Sequence, residues 1–270
     1  MVDADWSAAD VDLTVPSAAR IYDYTLGGSH NFEVDRMVAE RIIEAVPDVP
    51  IIARANRSFL RRVVRFFADA GIRQFFDLGS GIPTVGNVHE VAQKAAPESR
   101  VVYVDADPVA VIHSKTMLAG NDQATAIQGD IRDVDRILTD PKVRSLIDFG
   151  QPVGVLALLV LHFISDEEQP EEIIHKLWEA LCPGSYLAIS HGTTLGENKA
   201  GVEDGKQILS QSTINVTWRG RAEIARILKG FELVEPGLVF PPQWRPDSPG
   251  DALSDQPERA NTLGAVGVRH

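Results

Sequence analysis

RQFFDLGSG, residues 73–81, is an apolar run that ends on an acid and two closely spaced glycines. The run predicts a buried strand. Gly79 and Gly81 predict a tight turn, because a residue without a Cβ lets the backbone turn sharply and come close to a ligand. Downstream, strand and helix patterns alternate. A helix is expected over 84–96 with Thr84 as its N-cap, a strand over 100–107 and a helix over 108–120 with Pro108 in its first turn. A strand over 124–130, a short helix over 133–139, a strand over 152–160, a helix over 170–181 and a strand over 185–192 follow. Residues 193–217 break the rhythm. A helix over 219–230, a strand over 231–236, a Pro-rich loop and an apolar segment over 262–270 end the chain. Alternation of this kind implies a mostly parallel sheet covered on both faces, and strands that are apolar throughout agree with it. The last segment follows a strand with no helix between them, which suits an antiparallel final strand.

Composition bounds the function. Over 270 residues the chain is 44% hydrophobic and carries a formal charge of −12, so it is a poor general binder of polyanions. A local basic patch stays open in RANRSFLRRVVRFF (54–67), which holds five arginines. The longest apolar run, 153–164, is too short to span a bilayer, and the first residues lack the pattern of a secretory signal. The only cysteine, Cys182, excludes an intrachain disulfide and a Cys-rich metal site. The expectation is a cytoplasmic protein with a small-molecule substrate, no nucleic-acid or membrane partner and no metal; the oligomeric state is left open.

In sheets of this kind ligands bind beyond the carboxyl ends of the strands. Those ends here carry Asp77 with Gly79, Ser80 and Gly81, then Asp105 with Ala106, then Asp130 with Ile131. A carboxylate at Asp105 can accept both hydroxyls of a ribose, and Asp130 can accept an exocyclic amine of adenine. A dinucleotide loop requires a third glycine where this chain has Thr84, and Pro83 removes an N–H where phosphate would sit. An acid at Asp77 suits the ammonium of an amino-acid moiety instead. Asp77 and Asp130 also have a plain structural reading, as caps of turns, and Asp107 reads as the N-cap of the helix at Pro108.

The ordered set Asp77-x-Gly79-x-Gly81, Asp105 and Asp130, with ALCPGSYLAIS (180–190), resembles the class I S-adenosylmethionine-dependent methyltransferases over about residues 72–192. The resemblance implies a Rossmann-like, doubly wound, mostly parallel seven-stranded α/β sheet with an antiparallel last strand. It implies S-adenosyl-L-methionine as cofactor, with the Gly79 and Gly81 backbone near the methionine portion, Asp105 on the ribose, and Asp130 with Ile131 at the adenine.

The stretch ARIYDYTLGGSHNFEVDR (19–36) resembles the opening of a bacterial family of methyltransferases, long a domain of unknown function, whose members begin ARxYDYxLGGxxNFxxDR. We expect a loose tail over 1–15, a helical lid over 16–71 and the cofactor domain over 72–270. Residues 193–217 would form part of the substrate wall, with Trp218 and Trp244 either facing the pocket or packing. Tyr22, Gly28, His30, Asn31 and Arg54 are the candidate lid contacts to the cofactor; Asn56 and Arg57 also have the chemistry to meet its carboxylate. The other reading of the segment is an arm that only packs on the core.

Methyl transfer needs a base only when the acceptor arrives protonated. His162, after the fourth strand, and His191, after the fifth, are the candidate bases or substrate-orienting groups, each with a wall or packing role as the alternative. His113 and His175 read as surface or structural. Two further readings of the chain stand beside methyl transfer: an NAD-dependent oxidoreductase, and a cofactor-binding sensor without chemistry.

Overall fold

The computed structural model describes residues 12–196 and 199–270. Three helices come first: α1 (Ala18–Thr25), α2 (Glu33–Ala45) and α3 (Val49–Asp69). The alternating part follows as β1 (Gln74–Leu78), α4 (Val88–Ala95), β2 (Arg100–Asp105), α5 (Pro108–Met117) and β3 (Ala124–Gln128). It continues as α6 (Val134–Thr139), α7 (Pro141–Leu146), β4 (Gly154–Leu158), α8 (Pro170–Ala180) and β5 (Tyr186–Gly192). Helices α9 (Lys199–Gln211) and α10 (Arg221–Ile227) precede the short β6 (Glu232–Leu233) and the closing β7 (Thr262–Val268).

The seven strands form one sheet in the order β3-β2-β1-β4-β5-β7-β6. β1 to β5 run parallel, and β7 runs antiparallel to both β5 and β6. Neighbouring residues show why both faces must be covered. Phe75 and Phe76 point to opposite sides of β1 and are both fully buried. Phe75 joins Phe59, Phe67 and Leu156 under α3, and Phe76 joins Val155, Ile174 and Leu177 under α8. Gly154 in β4 is required by this packing, since a Cβ there would lie 2.6 Å from the Phe67 ring.

The arginine-rich helix is spent largely on the fold. Arg62 is buried and donates to the carbonyls of Trp244 (2.9 Å) and Pro241 (2.7 Å), which fixes the Pro-rich loop against α3. Arg65 pairs with Asp247 in the same loop. Trp244 is fully buried against Phe59, so of its two readings packing is the one observed.

Three local expectations change. Helix α4 begins four residues later than predicted. Asn87, not Thr84, holds the cap position, where Glu90 of the first turn reaches back to accept from Asn87 N at 3.2 Å. Residues 193–217 are not irregular throughout, since α9 occupies most of them, and α7 was not anticipated. A helix also forms inside the opening motif, α1, which stops before Gly27 at φ 82°. Asp107 does cap α5, accepting from Val109 N at 2.8 Å. Among the described residues no helix is long and apolar enough to cross a membrane.

Candidate active site

The order of the sheet reverses direction between β1 and β4, and a crevice opens beyond the carboxyl ends of the strands there, as expected of open α/β sheets. The turn after β1 forms its floor. Gly79 and Gly81 have φ of 69° and 66°, in the left-handed region that favours glycine. A Cβ on Gly79 would also lie 2.4 Å from Val160. At Gly81 a Cβ would meet nothing within 4 Å, so the space over this glycine is open.

The backbone donors of the turn are already used. Gly79 N and Ser80 N donate to Val104 O at 2.8 and 3.1 Å, and Gly81 N donates to Asp105 Oδ2 at 2.6 Å. A phosphate cradle requires such N–H groups to be free, and here they fasten β1 to β2 instead. Asp105 takes its second bond, from Asp107 N, on Oδ1 at 2.8 Å. A carboxylate has about four acceptor sites, so these bonds leave capacity for a ligand. Burial pushes the carboxyl of Asp105 up to about 6 against these bonds. Asp77 is pushed up to about 7, chiefly by burial, while the Arg57 charge opposes the rise and the Asp105 charge adds to it.

The third strand end is more open. Gly129, Asp130 and Ile131 line the crevice, with Ile131 buried and Asp130 exposed. Arg132 holds Asp130 at 3.0 Å and also pairs with Glu168.

From the N-terminal segment, Ser17, Ala18 and Tyr22 reach the crevice. The Tyr22 hydroxyl donates to Ala53 O (3.2 Å) and accepts from Asn56 Nδ2 (3.2 Å). Gly28, His30 and Asn31 do not line it; they close around the buried carboxylate of Asp23. His30 N and Asn31 Nδ2 donate to Asp23 Oδ2 at 2.9 and 2.8 Å, and a Cβ on Gly28 would lie 2.0 Å from Asp23 Oδ1. The His30 ring packs at a tilt against that of His113 of α5, with ring centroids 4.0 Å apart. Buried Arg20 stands 3.4 Å from both Asp35 and Asp107, and the Ser17 hydroxyl donates to Asp107, so the segment is fastened to the end of β2. Arg54 points to solvent. The helical spacing Ala53, Arg57, Leu60 was the sequence signal that Arg57, and not Arg54, shares the inward face of α3.

The two histidines separate. His191 is fully buried and lines neither cavity described below. Its Nδ1–H donates to Gly192 O at 2.7 Å, and its Nε2 accepts from Arg219 Nη1 at 2.9 Å. Arg219 also donates to Ile164 O and Asp166, so His191 belongs to a structural network and does not face the mouth as expected. His162 does face it. Its Nδ1 is buried without a hydrogen-bond partner, and burial, with His191 and Arg219 nearby, pushes its pKa down to about 3.

These groups enclose a cavity of about 340 Å³, within the usual range for a small-molecule site. Asp77, Gly79, Ser80, Gly81, Asp105, Ala106, Asp130, Ile131, Tyr22 and His162 all line it, as do Asn56, Arg57 and Arg132. A second cavity of about 180 Å³ adjoins it and shares Tyr22, Leu159, His162 and Phe163. Among the described residues no cluster of three or more His, Cys, Asp or Glu has the arrangement of a metal site.

The sheet order, the fastened Asp-x-Gly-x-Gly turn and acids at successive strand ends define the class: an S-adenosylmethionine-dependent methyltransferase of class I. Residues 4–270 match the family described as S-adenosyl methyltransferase, and the chain belongs to that family. It is similar to a DUF574 family protein from Streptomyces avermitilis MA-4680 (36% identity, 96% of this chain and 99% of that one, TM-score 0.91). It is also similar to a putative methyltransferase from Thermobifida fusca YX (38% identity, 98% and 99%, TM-score 0.90). An O-methyltransferase family protein from Burkholderia thailandensis shares the fold at 14% identity (92% and 63%, TM-score 0.51). No protein with a curated function matches the sequence.

Proposed function

We propose that the chain transfers a methyl group from S-adenosylmethionine to a small-molecule acceptor, with the 340 Å³ cavity as the cofactor site. The observation that carries this reading is Asp105, a buried carboxylate in the wall of the cavity, fixed on one oxygen by Gly81 N and on the other by Asp107 N. Asp105 accepts the two ribose hydroxyls. Asp77 and Arg57 meet the ammonium and carboxylate of the methionine portion, and the open space over Gly81 admits its chain. The buried Nε of Arg57 has no partner in the protein and lies on a residue of this cavity, which supports the assignment. Asp130 and Ile131 flank the adenine. Residues 16–71 act as a lid, with Tyr22 as its contact, while Gly28, His30 and Asn31 hold the lid's own shape around Asp23 and Arg54 stays outside.

S-adenosylmethionine, when bound, supplies an electrophilic methyl group. The protein's part is alignment and exclusion of water. His162, where the two cavities meet, orients the acceptor.

Calorimetry with S-adenosylhomocysteine, S-adenosylmethionine and NAD tests the cofactor assignment. Binding of both adenosyl ligands and not of NAD is expected; heat from NAD alone overturns it. Transfer of labelled methyl into a small-molecule extract tests the reaction. Tight cofactor binding with label entering no small molecule, or only macromolecules, counts against the acceptor class.

A further inference from the structure

We propose that the acceptor is a small uncharged phenol, seated in the 180 Å³ cavity with its hydroxyl directed at His162. The inference rests on the methyl-transfer reading of the adjoining cleft and adds to it the chemistry of the acceptor.

The cavity is built where several parts of the chain meet. Ile21 and Ile42 come from α1 and α2, Ile52 from α3, Leu209 from α9, and Val216 and Trp218 from the stretch after it. Among its described lining residues none is Asp, Glu, Lys or Arg. An ionic acceptor would lose its water there and gain no counter-charge, which proteins seldom tolerate. This argues against amino acids, polyamines, nucleotides and charged peptides. Size narrows the class further. A dry apolar cavity of about 150 Å³ accommodates benzene. At about 180 Å³ the space suits one substituted ring.

The polar side chains of the wall are few. Buried polar atoms are normally paired. Of those found unpaired, His162 Nδ1, Trp218 Nε1 and Asn261 Oδ1 all belong to residues of this one cavity. His162 is also shared with the cofactor cavity, so a hydroxyl held by its ring lies at the passage between the two. That placement leaves the ring of the acceptor among the aliphatic side chains and its oxygen toward the methyl donor.

No carboxylate or lysine is among the described lining residues to act as a base, which selects a phenol over an aliphatic alcohol. His162, whose pKa burial pushes down, removes a proton poorly and serves to orient the hydroxyl. A phenol ionises near pH ~10, several units below water at ~15.7, and needs correspondingly less help. In the step itself the phenol oxygen forms the bond to the methyl carbon while the carbon–sulfur bond breaks. The electron pair of that bond stays on sulfur, which becomes a neutral thioether, and the phenolic proton passes to water.

The test uses the full chain saturated with S-adenosylhomocysteine and titrated by calorimetry with 4-methylphenol, 4-ethylphenol and 4-propylphenol. The matched 4-alkylbenzoates and 4-alkylbenzylamines are the charged controls. At least one phenol is expected to bind ten times or more tighter than its charged counterparts. Gly205→Phe should weaken that binding at least tenfold and leave S-adenosylhomocysteine affinity unchanged. Gly205 lines the cavity, and a Cβ there meets only Val46, at an ordinary 3.7 Å, so the added ring enters the open space. If that variant does not fold, Trp218→Phe, which shortens the indole to a phenyl ring and removes wall contacts, should weaken the phenol several-fold. Incubation with labelled S-adenosylmethionine should then yield the aryl methyl ether. The proposal is overturned if no phenol binds, if benzoates or benzylamines bind as well, or if both variants that fold bind the phenol unchanged. Failure of S-adenosylhomocysteine to bind at all would instead overturn the methyl-transfer reading beneath it.

Discussion

Asp105 Oδ2 accepts the amide hydrogen of Gly81 at 2.6 Å, so the carboxylate at the end of β2 fixes the turn at the end of β1. One carboxylate thus shapes the turn over which the methionine portion is proposed to lie, and the same group is proposed to accept the ribose hydroxyls. Asp105→Ala is expected to lower S-adenosylhomocysteine affinity more than about tenfold in calorimetry, the scale of losing charge-assisted hydrogen bonds. A folded variant with unchanged affinity would remove the ribose assignment.

Asp77 makes binding depend on pH. In the free protein its carboxyl is pushed up to about 7, so part of it is protonated near neutrality. An ammonium beside it favours the charged form and lowers that pKa in the complex. Affinity should therefore be fully present above pH ~7 and fall as the pH drops through about 7. Proton release on binding near pH 7, read from calorimetric heats in buffers of different ionisation enthalpy, checks the sign.

The same burial works against stability. A carboxyl raised from its ordinary 3.8 to about 7 costs the folded state above the unfolded pKa, and the cost is complete once the pH passes about 7. Asp77→Asn should raise Tm at pH 8 while cofactor affinity falls. A lower Tm would mean that the charged group is held by the fold rather than kept for a ligand.

Arg57 and Arg54 lie three residues apart on α3 and face opposite environments. Arg57→Ala is expected to weaken S-adenosylhomocysteine roughly tenfold or more, and Arg54→Ala to leave it unchanged. Equal effects of the two would place the carboxylate elsewhere.

His191→Ala removes a partner of Arg219 inside the protein and should cost about 1–3 kcal/mol of stability with cofactor affinity kept. His162→Ala removes a ring with no hydrogen-bond partner at its buried Nδ1 and should cost less. Denaturant unfolding of the two variants separates these roles.

Gly28→Ala tests whether the opening motif is held together from within. Its new Cβ would lie 2.0 Å from Asp23 Oδ1, and overpacking of this kind costs about 1–3 kcal/mol. A lower Tm with near-normal cofactor affinity is expected. Lost affinity at unchanged Tm would make Gly28 a ligand contact.

Much of this protein follows from short-range information. An apolar strand, a turn only glycine can make and an acid at the next strand end are local patterns, so RQFFDLGSG and VDADP read correctly in isolation. Parallel strands buried on both faces announce themselves by composition, and the sheet order follows from few permitted connections. Side-chain destinations are another matter. Whether Asn31 meets a ligand or Asp23 depends on how the loop after α1 closes, and whether His162 or His191 faces the mouth depends on packing between segments far apart in sequence. His191 is turned inward by Arg219, and Asn31 by a carboxylate eight residues before it. The second cavity belongs wholly to tertiary structure, because α1, α2, α3, α9 and the residues around Trp218 each contribute one apolar face. Periodicity can show that each of these faces is apolar, but only their meeting in space shows that they leave room between them.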